Sequence, residues 1–231
     1  MDRVKTWVRQ NPHCLAFCYF IFYLIAFFTL EALVEPRYIL HSPLDDLIPF
    51  NEWFLIPYCA WFLQMPGSLA YFMFRDRDTF LRECFLMFTG MTICLTLYWF
   101  FPNGLDLRVA FDPHKNLLCE LVALLQGFDT PTNVCPSIHV ASALAVDITV
   151  QKCPLFRRRP LVRLGSFVLM VLIVLSTMFL KQHSVIDVFW GILLTLALSL
   201  VTYHLPWEKA LQKTPLRFLW GQSAGPKSAA R

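Results

Sequence analysis

Six long apolar runs, separated by shorter polar segments, constrain the fold of this sequence more than any other feature. A helical run of about 20 apolar residues spans the hydrocarbon core of a bilayer. The chain is 57% hydrophobic and 16% charged over 231 residues, which is too apolar for a soluble domain of this length. We therefore predict an all-α, polytopic membrane helix bundle of about six transmembrane helices. The predicted spans are residues 14–33, 53–74, 84–101, 138–150, 161–180 and 184–205.

Basic residues are distributed unevenly between the loops that connect these spans. With the N-terminus in the cytoplasm, 16 of the 20 lysine and arginine residues fall on the cytoplasmic side. The four on the outer side are Arg37, Arg108, Lys115 and Lys181. Because positively charged residues favour cytoplasmic loops, both termini are predicted to be cytoplasmic.

This orientation divides the chain into three parts. Residues 1–13 form a cytoplasmic N-terminus, residues 14–205 the transmembrane domain, and residues 206–231 a cytoplasmic, largely disordered tail. We expect a multi-pass integral membrane protein of a bacterial plasma membrane.

The polar residues that hydrocarbon tolerates least stand at the ends of apolar runs. His183 and Asp187, at the start of the sixth span, are four residues apart and share one face of a helix. The carboxylate can therefore orient one imidazole nitrogen while the other serves as a nucleophile. At the start of the fourth span, Ser137 is placed to cap the helix and His139 lies in its first turn. In the predicted orientation, both histidines face the outer side of the membrane.

Two histidines at helix starts suggest chemistry on a phosphate ester. Such a reaction needs a nucleophile, a proton for the departing oxygen, and donors around the nonbridging oxygens. His183 supplies the nucleophile and His139 the proton, and the backbone amides near Ser137 can face an anion. Arg108 and Lys181 are outer-side cations that can bind phosphate.

Both histidine motifs resemble those of the type 2 phosphatidic acid phosphatase superfamily. The family sequence Pro-Ser-Gly-His appears here as Pro136-Ser137-Ile138-His139. The family sequence Ser-Arg, five residues, His, three residues, Asp appears here from Ser176-Thr177 to His183 and Asp187. The resemblance implies that His183 is the nucleophile, Asp187 its partner and His139 the general acid. It also adds Ser176 to the predicted phosphate-binding residues.

The sequence departs from the family pattern in its cations. The family's first motif, a lysine followed by Arg-Pro, is missing, and Thr177 replaces the arginine of the third motif. We predict Arg108 and Lys181 as the replacements. The altered pattern resembles the branch of inositol phosphorylceramide synthases and sphingomyelin synthases, in which a Phe-Pro element precedes the second motif, as Phe101-Pro102 does here.

These motifs favour a lipid phosphoesterase that acts on phosphatidic acid or a polyprenyl phosphate at the extracytoplasmic face. A phosphohistidine can be resolved by water or by a lipid alcohol, so a lipid head-group phosphotransferase is the alternative. A non-enzymatic transporter or scaffold is an alternative from a different functional class. In such a protein, polar residues would line a water-filled path that continues to the cytoplasmic face. We expect a lipid phosphate or phospholipid substrate, no metal, no cofactor and no nucleic acid.

The two longer outer loops differ in character. Residues 35–52 are acidic, and we interpret them as a solvated connector. Residues 102–135 contain a short apolar piece, 117–125, which is too short to span a bilayer. We predict an interfacial amphipathic helix there, beside the site.

Overall fold

The computed structural model describes residues 2–220, and this part of the chain is built mainly from α-helices. The α-helices, in chain order, are α1 Asp2–Gln10, α2 Tyr19–Leu33, α3 Pro43–Leu47, α4 Leu55–Arg75, α5 Arg77–Phe100, α6 Leu117–Phe128, α7 Ile138–Lys152, α8 Pro160–Phe179, α9 Val185–His204 and α10 Trp207–Leu211. Short 3-10 helices cover Pro12–Cys18, Glu52–Phe54, Pro113–Lys115, Pro154–Phe156 and Pro215–Trp220. Two strands, β1 Tyr38–Leu40 and β2 Asn103–Leu105, pair in parallel.

Every predicted span contains a helix of the structure. Four segments are long and apolar enough to cross a membrane, namely Pro12–Leu33, Arg77–Phe100, Pro160–Phe179 and Val185–His204. The protein is therefore an all-α integral membrane protein. The other two predicted spans correspond to α4, which has 21 residues, and α7, which has only 15. The number of spans and the cytoplasmic location of the termini stay predictions.

Helix α7 lies at the centre of the bundle, in contact with α4, α5, α8 and α9. Its small side chains, such as Ala141 and Ala143, are buried and let neighbouring helices approach closely. On α9, a Cβ atom added at Gly191 would lie 2.9 Å from the carbonyl oxygen of Ser137. This close approach brings the starts of α7 and α9 side by side.

The helices at the periphery of the bundle have apolar surfaces, as expected for helices that face lipid. Leu161 and Leu164 on α8 and Ile25 and Phe28 on α2 are exposed. In a soluble protein such faces would need a partner. In a bilayer, lipid chains cover them.

The predicted tail, residues 206–231, begins with α10 and the 3-10 helix Pro215–Trp220. The indole of Trp207 donates to the carbonyl oxygen of Thr202 at 2.9 Å, and Glu208 pairs with Arg82 at 2.7 Å. This first half of the predicted tail is helical and contacts the bundle. Residues 221–231, for which disorder is also predicted, lie outside the described residues.

Candidate active site

The structure brings the three predicted catalytic residues together at the starts of α7 and α9. Nδ1 of His183 lies 3.2 Å from Oδ2 of Asp187. Nε2 of His183 lies 3.2 Å from Nδ1 of His139. A carboxylate accepts hydrogen bonds, so it places the proton of neutral His183 on Nδ1. The lone pair of Nε2 then points toward His139.

Asp187 has a second role in the helix that carries it. Ser184 caps the N-terminus of α9, and its backbone amide donates to Oδ2 of Asp187 at 2.9 Å, completing a capping box. The carboxylate is fully buried, and its negative charge is favoured at a helix N-terminus. One set of contacts therefore stabilises the start of α9 and orients His183.

The turn before His183 is also fixed by backbone hydrogen bonds. The carbonyl oxygen of Thr177 accepts from the amides of Gln182 and His183, at 2.9 and 3.0 Å. Lys181 has a φ of 58°, and its amide donates to the carbonyl oxygen of Met178. This is the hydrogen-bond pattern of a Schellman motif, in which a residue of positive φ ends the helix. It directs the imidazole of His183 back toward α7.

Asp45, in the first outer loop, holds this turn from the other side. Its Oδ2 accepts from Oγ of Ser184 at 2.6 Å, and its Oδ1 accepts from the amide of Val185 at 2.8 Å. Nζ of Lys181 donates to the carbonyl oxygen of Asp45 at 2.7 Å. Asp45 is 2% exposed, so the interpretation of this loop as a solvated connector is wrong at this residue. A capping box, with Ser42 as N-cap and Asp45 at the third helical position, was the available sequence signal.

Aromatic side chains of α4 hold His139 in place. The ring centroids of Tyr58 and Trp61 lie 4.9 and 4.3 Å from that of His139. The indole of Trp61 donates to Oγ of Ser142 at 2.7 Å, and the hydroxyl of Tyr58 donates to a carboxylate oxygen of Asp129. These contacts limit rotation of the imidazole. Neither residue was predicted from the sequence, because aromatic residues are abundant in this chain.

Three of the predicted phosphate-binding residues stabilise the backbone around the site. Ser137 is buried, its hydroxyl accepts from the amide of Val140, and its own amide donates to the carbonyl oxygen of Asp187. The buried hydroxyl of Ser176 donates to a carbonyl oxygen of its own helix, and Lys181 binds Asp45. These contacts do not support direct phosphate binding by Ser137, Ser176 or Lys181.

Arg108, the fourth predicted phosphate-binding residue, reaches the site indirectly. Its Nη1 donates to the carbonyl oxygen of Gln126 at 2.8 Å, and its Nη2 donates to the carbonyl oxygen of Asp129 and to Oε1 of Gln182, the latter at 3.2 Å. Desolvation lowers the pKa of the guanidinium, while the charge of Asp129 opposes this shift. Its ordinary pKa is so high that Arg108 stays charged at neutral pH. Its contact with phosphate stays a prediction.

A cavity of about 320 Å³ opens at His139 and His183. Its wall is mainly apolar and includes Tyr23, Phe27, Phe28, Phe62, Tyr98 and Phe128. Its polar lining includes Asp129, Thr130, Thr132, Asn133 and Gln182. Phe28 and Phe62 are also exposed on the lipid-facing side of α2 and α4. The cavity therefore joins the two histidines to the surface that lipid covers.

Helix α6 matches the short apolar segment predicted at residues 117–125. Its residues Leu125 and Phe128 line the cavity, so the helix lies beside the site as predicted. Within residues 2–220, no group of three or more His, Cys, Asp or Glu side chains is arranged to hold a metal ion. Independence of metal stays a prediction.

The pairing of a histidine–aspartate unit with a second histidine agrees with a comparison of known families. Residues 84–211 match the sequence model of the PAP2 superfamily, and this stretch is more than half of the chain. The chain belongs to the PAP2 superfamily. Comparisons with curated proteins and with solved structures found no match.

Membership of the PAP2 superfamily makes the protein a membrane enzyme of phosphate-ester chemistry that acts in lipid metabolism. It supports the enzyme interpretation over a non-enzymatic transporter or scaffold. The matched stretch contains His139, His183 and Asp187, whereas Asp45 and Tyr58 lie before it. The narrower resemblance to inositol phosphorylceramide and sphingomyelin synthases is not tested by this match.

Proposed function

We propose that this PAP2 protein is a lipid phosphoesterase that acts through a phosphohistidine on His183. The observation that carries this proposal is the hydrogen-bonded series of Asp187, His183 and His139 beside an apolar cavity. A nucleophile, its orienting carboxylate and a second imidazole are the parts that phosphoryl transfer through histidine requires.

These positions support the following reaction. The lone pair of Nε2 of His183 attacks phosphorus, the bond from phosphorus to the leaving oxygen breaks, and His139 donates a proton to that oxygen. Asp187 accepts the Nδ1 hydrogen bond and balances the positive charge of the phosphohistidine. In the second half, His139 removes a proton from the attacking water or alcohol, the P–N bond breaks, and neutral His183 is restored.

The cavity supports a lipid as the substrate. Its apolar wall continues from the histidines to Phe28 and Phe62, which lie on the lipid-facing surface. Phosphatidic acid or a polyprenyl phosphate can place its chains against this wall and its phosphate at His183. The basic asymmetry of the sequence favours a site on the extracytoplasmic side of a plasma membrane.

Transfer of the phosphoryl group to a lipid alcohol is the second candidate function. The carboxylate of Asp129 lines the cavity and is held by the hydroxyl of Tyr58. A carboxylate in this position can accept a hydrogen bond from the hydroxyl of an alcohol acceptor. Hydrolysis and transfer share the same phosphohistidine and differ only in its acceptor.

The experiment that tests this function follows the phosphorus of a labelled lipid. Purified protein is incubated with labelled phosphatidic acid or phospholipid, with and without ceramide or diacylglycerol, and every phosphorus-containing product is identified. Free phosphate as the product indicates a phosphatase, and a new phospholipid indicates a transferase. We expect turnover to persist in EDTA, because His183 supplies the nucleophile.

Substitution of the histidines separates their roles. His183→Ala should abolish every activity, because no phosphohistidine can form. His139→Ala should lose most activity with poor leaving groups and less with good ones, because a good leaving group needs little protonation. Near-normal turnover by His183→Ala would contradict the proposal.

A further inference from the structure

Two buried amide side chains line the cavity and have NH₂ groups without a hydrogen-bond partner. They are Asn133, which is 5% exposed, and Gln182, which is 3% exposed. Both line the cavity together with His139 and His183. Because buried donors in native proteins are nearly always satisfied, two such donors on residues that line the cavity point to a ligand rich in acceptors.

The orientation of the Gln182 amide is set by its neighbours. Oε1 accepts from Nη2 of Arg108 at 3.2 Å, so Nε2 is the end that remains without a partner. The backbone amide of Gln182 donates to Thr177 in the turn that also fixes His183. The charge of Arg108 polarises the amide and makes its NH₂ group a stronger donor.

Asn133 is held in position by the element that precedes the second motif. Its φ is 54°, a left-handed conformation that asparagine tolerates better than most residues. Its backbone amide donates to the carbonyl oxygen of Asn103 at 2.7 Å, and Oδ1 of Asn103 accepts from the amides of Val134 and Cys135. The Phe101-Pro102 element, which leads into Asn103, therefore supports the loop that carries Asn133.

We propose that Asn133 and Gln182 donate to the nonbridging oxygens of the substrate phosphate, with Arg108 acting through Gln182 as a positioning residue. This inference rests on the proposed function and assigns the phosphate oxygens of that same site. No lysine or arginine is among the cavity-lining residues of the described chain. Neutral donors also suit a cavity that contains the carboxylate of Asp129, because a cation there would form an ion pair with it instead.

The test measures binding of orthovanadate to the purified full-length protein in detergent by calorimetric titration. Gln182→Met removes the NH₂ donor without adding a charge, and Asn133→Gly keeps the positive φ but removes the amide. We expect each change to weaken vanadate binding about 100-fold and to lower turnover of phosphatidic acid in mixed micelles by a similar factor, as for loss of one transition-state donor. Gln212→Met, the same chemical change at an exposed position after α10, should leave both values unchanged.

A combined variant tests the indirect role of Arg108. If Arg108 acts through Gln182, then Arg108→Ala should weaken vanadate binding by itself but should add nothing to Gln182→Ala. A further loss in the double variant would instead indicate that Arg108 contacts phosphate directly and would overturn its positioning role.

The outcomes distinguish this inference from the proposed function. Vanadate affinity within twofold of wild type in Gln182→Met and Asn133→Gly, with His183→Ala inactive, would overturn the amide assignment and leave the function standing. Turnover by His183→Ala would overturn the function. Thermal unfolding is measured for every variant, and if Gln182→Met or Asn133→Gly does not fold, Gln182→Ala or Asn133→Ala decides the question by the same criterion.

Discussion

At the scale of single residues, the position of His183 depends on a carboxylate far away in the sequence. Asp45 binds the N-cap hydroxyl of Ser184 and the amide of Val185, and its carbonyl oxygen receives Lys181. Hydrogen bonds to a buried charged group are worth about 1.5–3 kcal/mol each, and losing one partner leaves the other unsatisfied. The segment of residues 35–52 thus contributes directly to the geometry around His183.

The substitution Asp45→Asn tests this role. The side-chain oxygen of asparagine can still accept from one of the two donors, Oγ of Ser184 or the amide of Val185. Its NH₂ group would then face the other donor, so the turn before α9 should shift. We expect turnover of phosphatidic acid to fall at least about 10-fold with little change in KM, because the contacts position His183 and not the substrate. The matched control is Asp46→Asn, at an exposed neighbour that pairs with His41. Equal effects of the two substitutions would contradict the prediction.

The residue pattern of the sequence predicted part of this site. His183 and Asp187 could be paired from their spacing alone, since four residues form one helical turn. Asp45 could not be paired with Ser184, because contacts between distant segments depend on packing and leave no local pattern. Asn133 and Gln182 were missed for a related reason, since neutral amides in polar segments are common and only burial distinguishes them.

At the scale of elements, the contact between α7 and α9 brings the two histidines together. Gly191 faces the start of α7, where a Cβ atom would lie 2.9 Å from the carbonyl oxygen of Ser137 and 3.2 Å from Cβ of Val140. The first of these contacts is with backbone, which cannot move without displacing the helix start. The distance between His139 and His183 therefore depends on the absence of a side chain at Gly191.

Alanine at two glycine positions separates packing from helix propensity. Alanine favours a helix over glycine by about 1 kcal/mol at an exposed position. We expect Gly191→Ala nevertheless to lower turnover about 10-fold or more and to lower the thermal unfolding midpoint, because α7 and α9 must move apart. Gly165→Ala, on α8 with nothing within 4 Å of its Cβ position, should keep full activity and equal or higher stability. Unimpaired turnover in Gly191→Ala would rule out this dependence.

Most elements were predictable because a long apolar run in a membrane protein has to be helical. The prediction at residues 138–150 corresponds to α7, Ile138–Lys152, and that at 184–205 to α9, Val185–His204. The strands β1 and β2 were not predicted, since three residues are too few to show the alternation of apolar and polar residues that indicates a strand. Their pairing joins the two outer loops and could be seen only in the folded chain.

At the scale of the whole molecule, the site and the basic segments lie at opposite ends of the helices. The first outer loop, the segment after α5 and the turn before α9 meet at the end where His139 and His183 lie. The basic segment at residues 75–82 lies where α4 ends and α5 begins, and the basic segment at residues 152–163 lies where α7 ends and α8 begins. Both segments are therefore at the end of the bundle opposite the two histidines. A membrane protein with this distribution is expected to keep its basic end in the cytoplasm.

Labelling of introduced cysteines tests this orientation in whole cells. His114→Cys places a thiol at an exposed position of the second outer loop, where the side chain is 88% exposed. Lys213→Cys places one at an exposed position after α10, on the predicted cytoplasmic side. With the parent protein as the background for its eight native cysteines, a membrane-impermeant maleimide should label His114→Cys in intact cells and Lys213→Cys only after permeabilisation. The reverse pattern would place the two histidines on the cytoplasmic side, and the phosphate-transfer site would then draw its lipids from the inner leaflet.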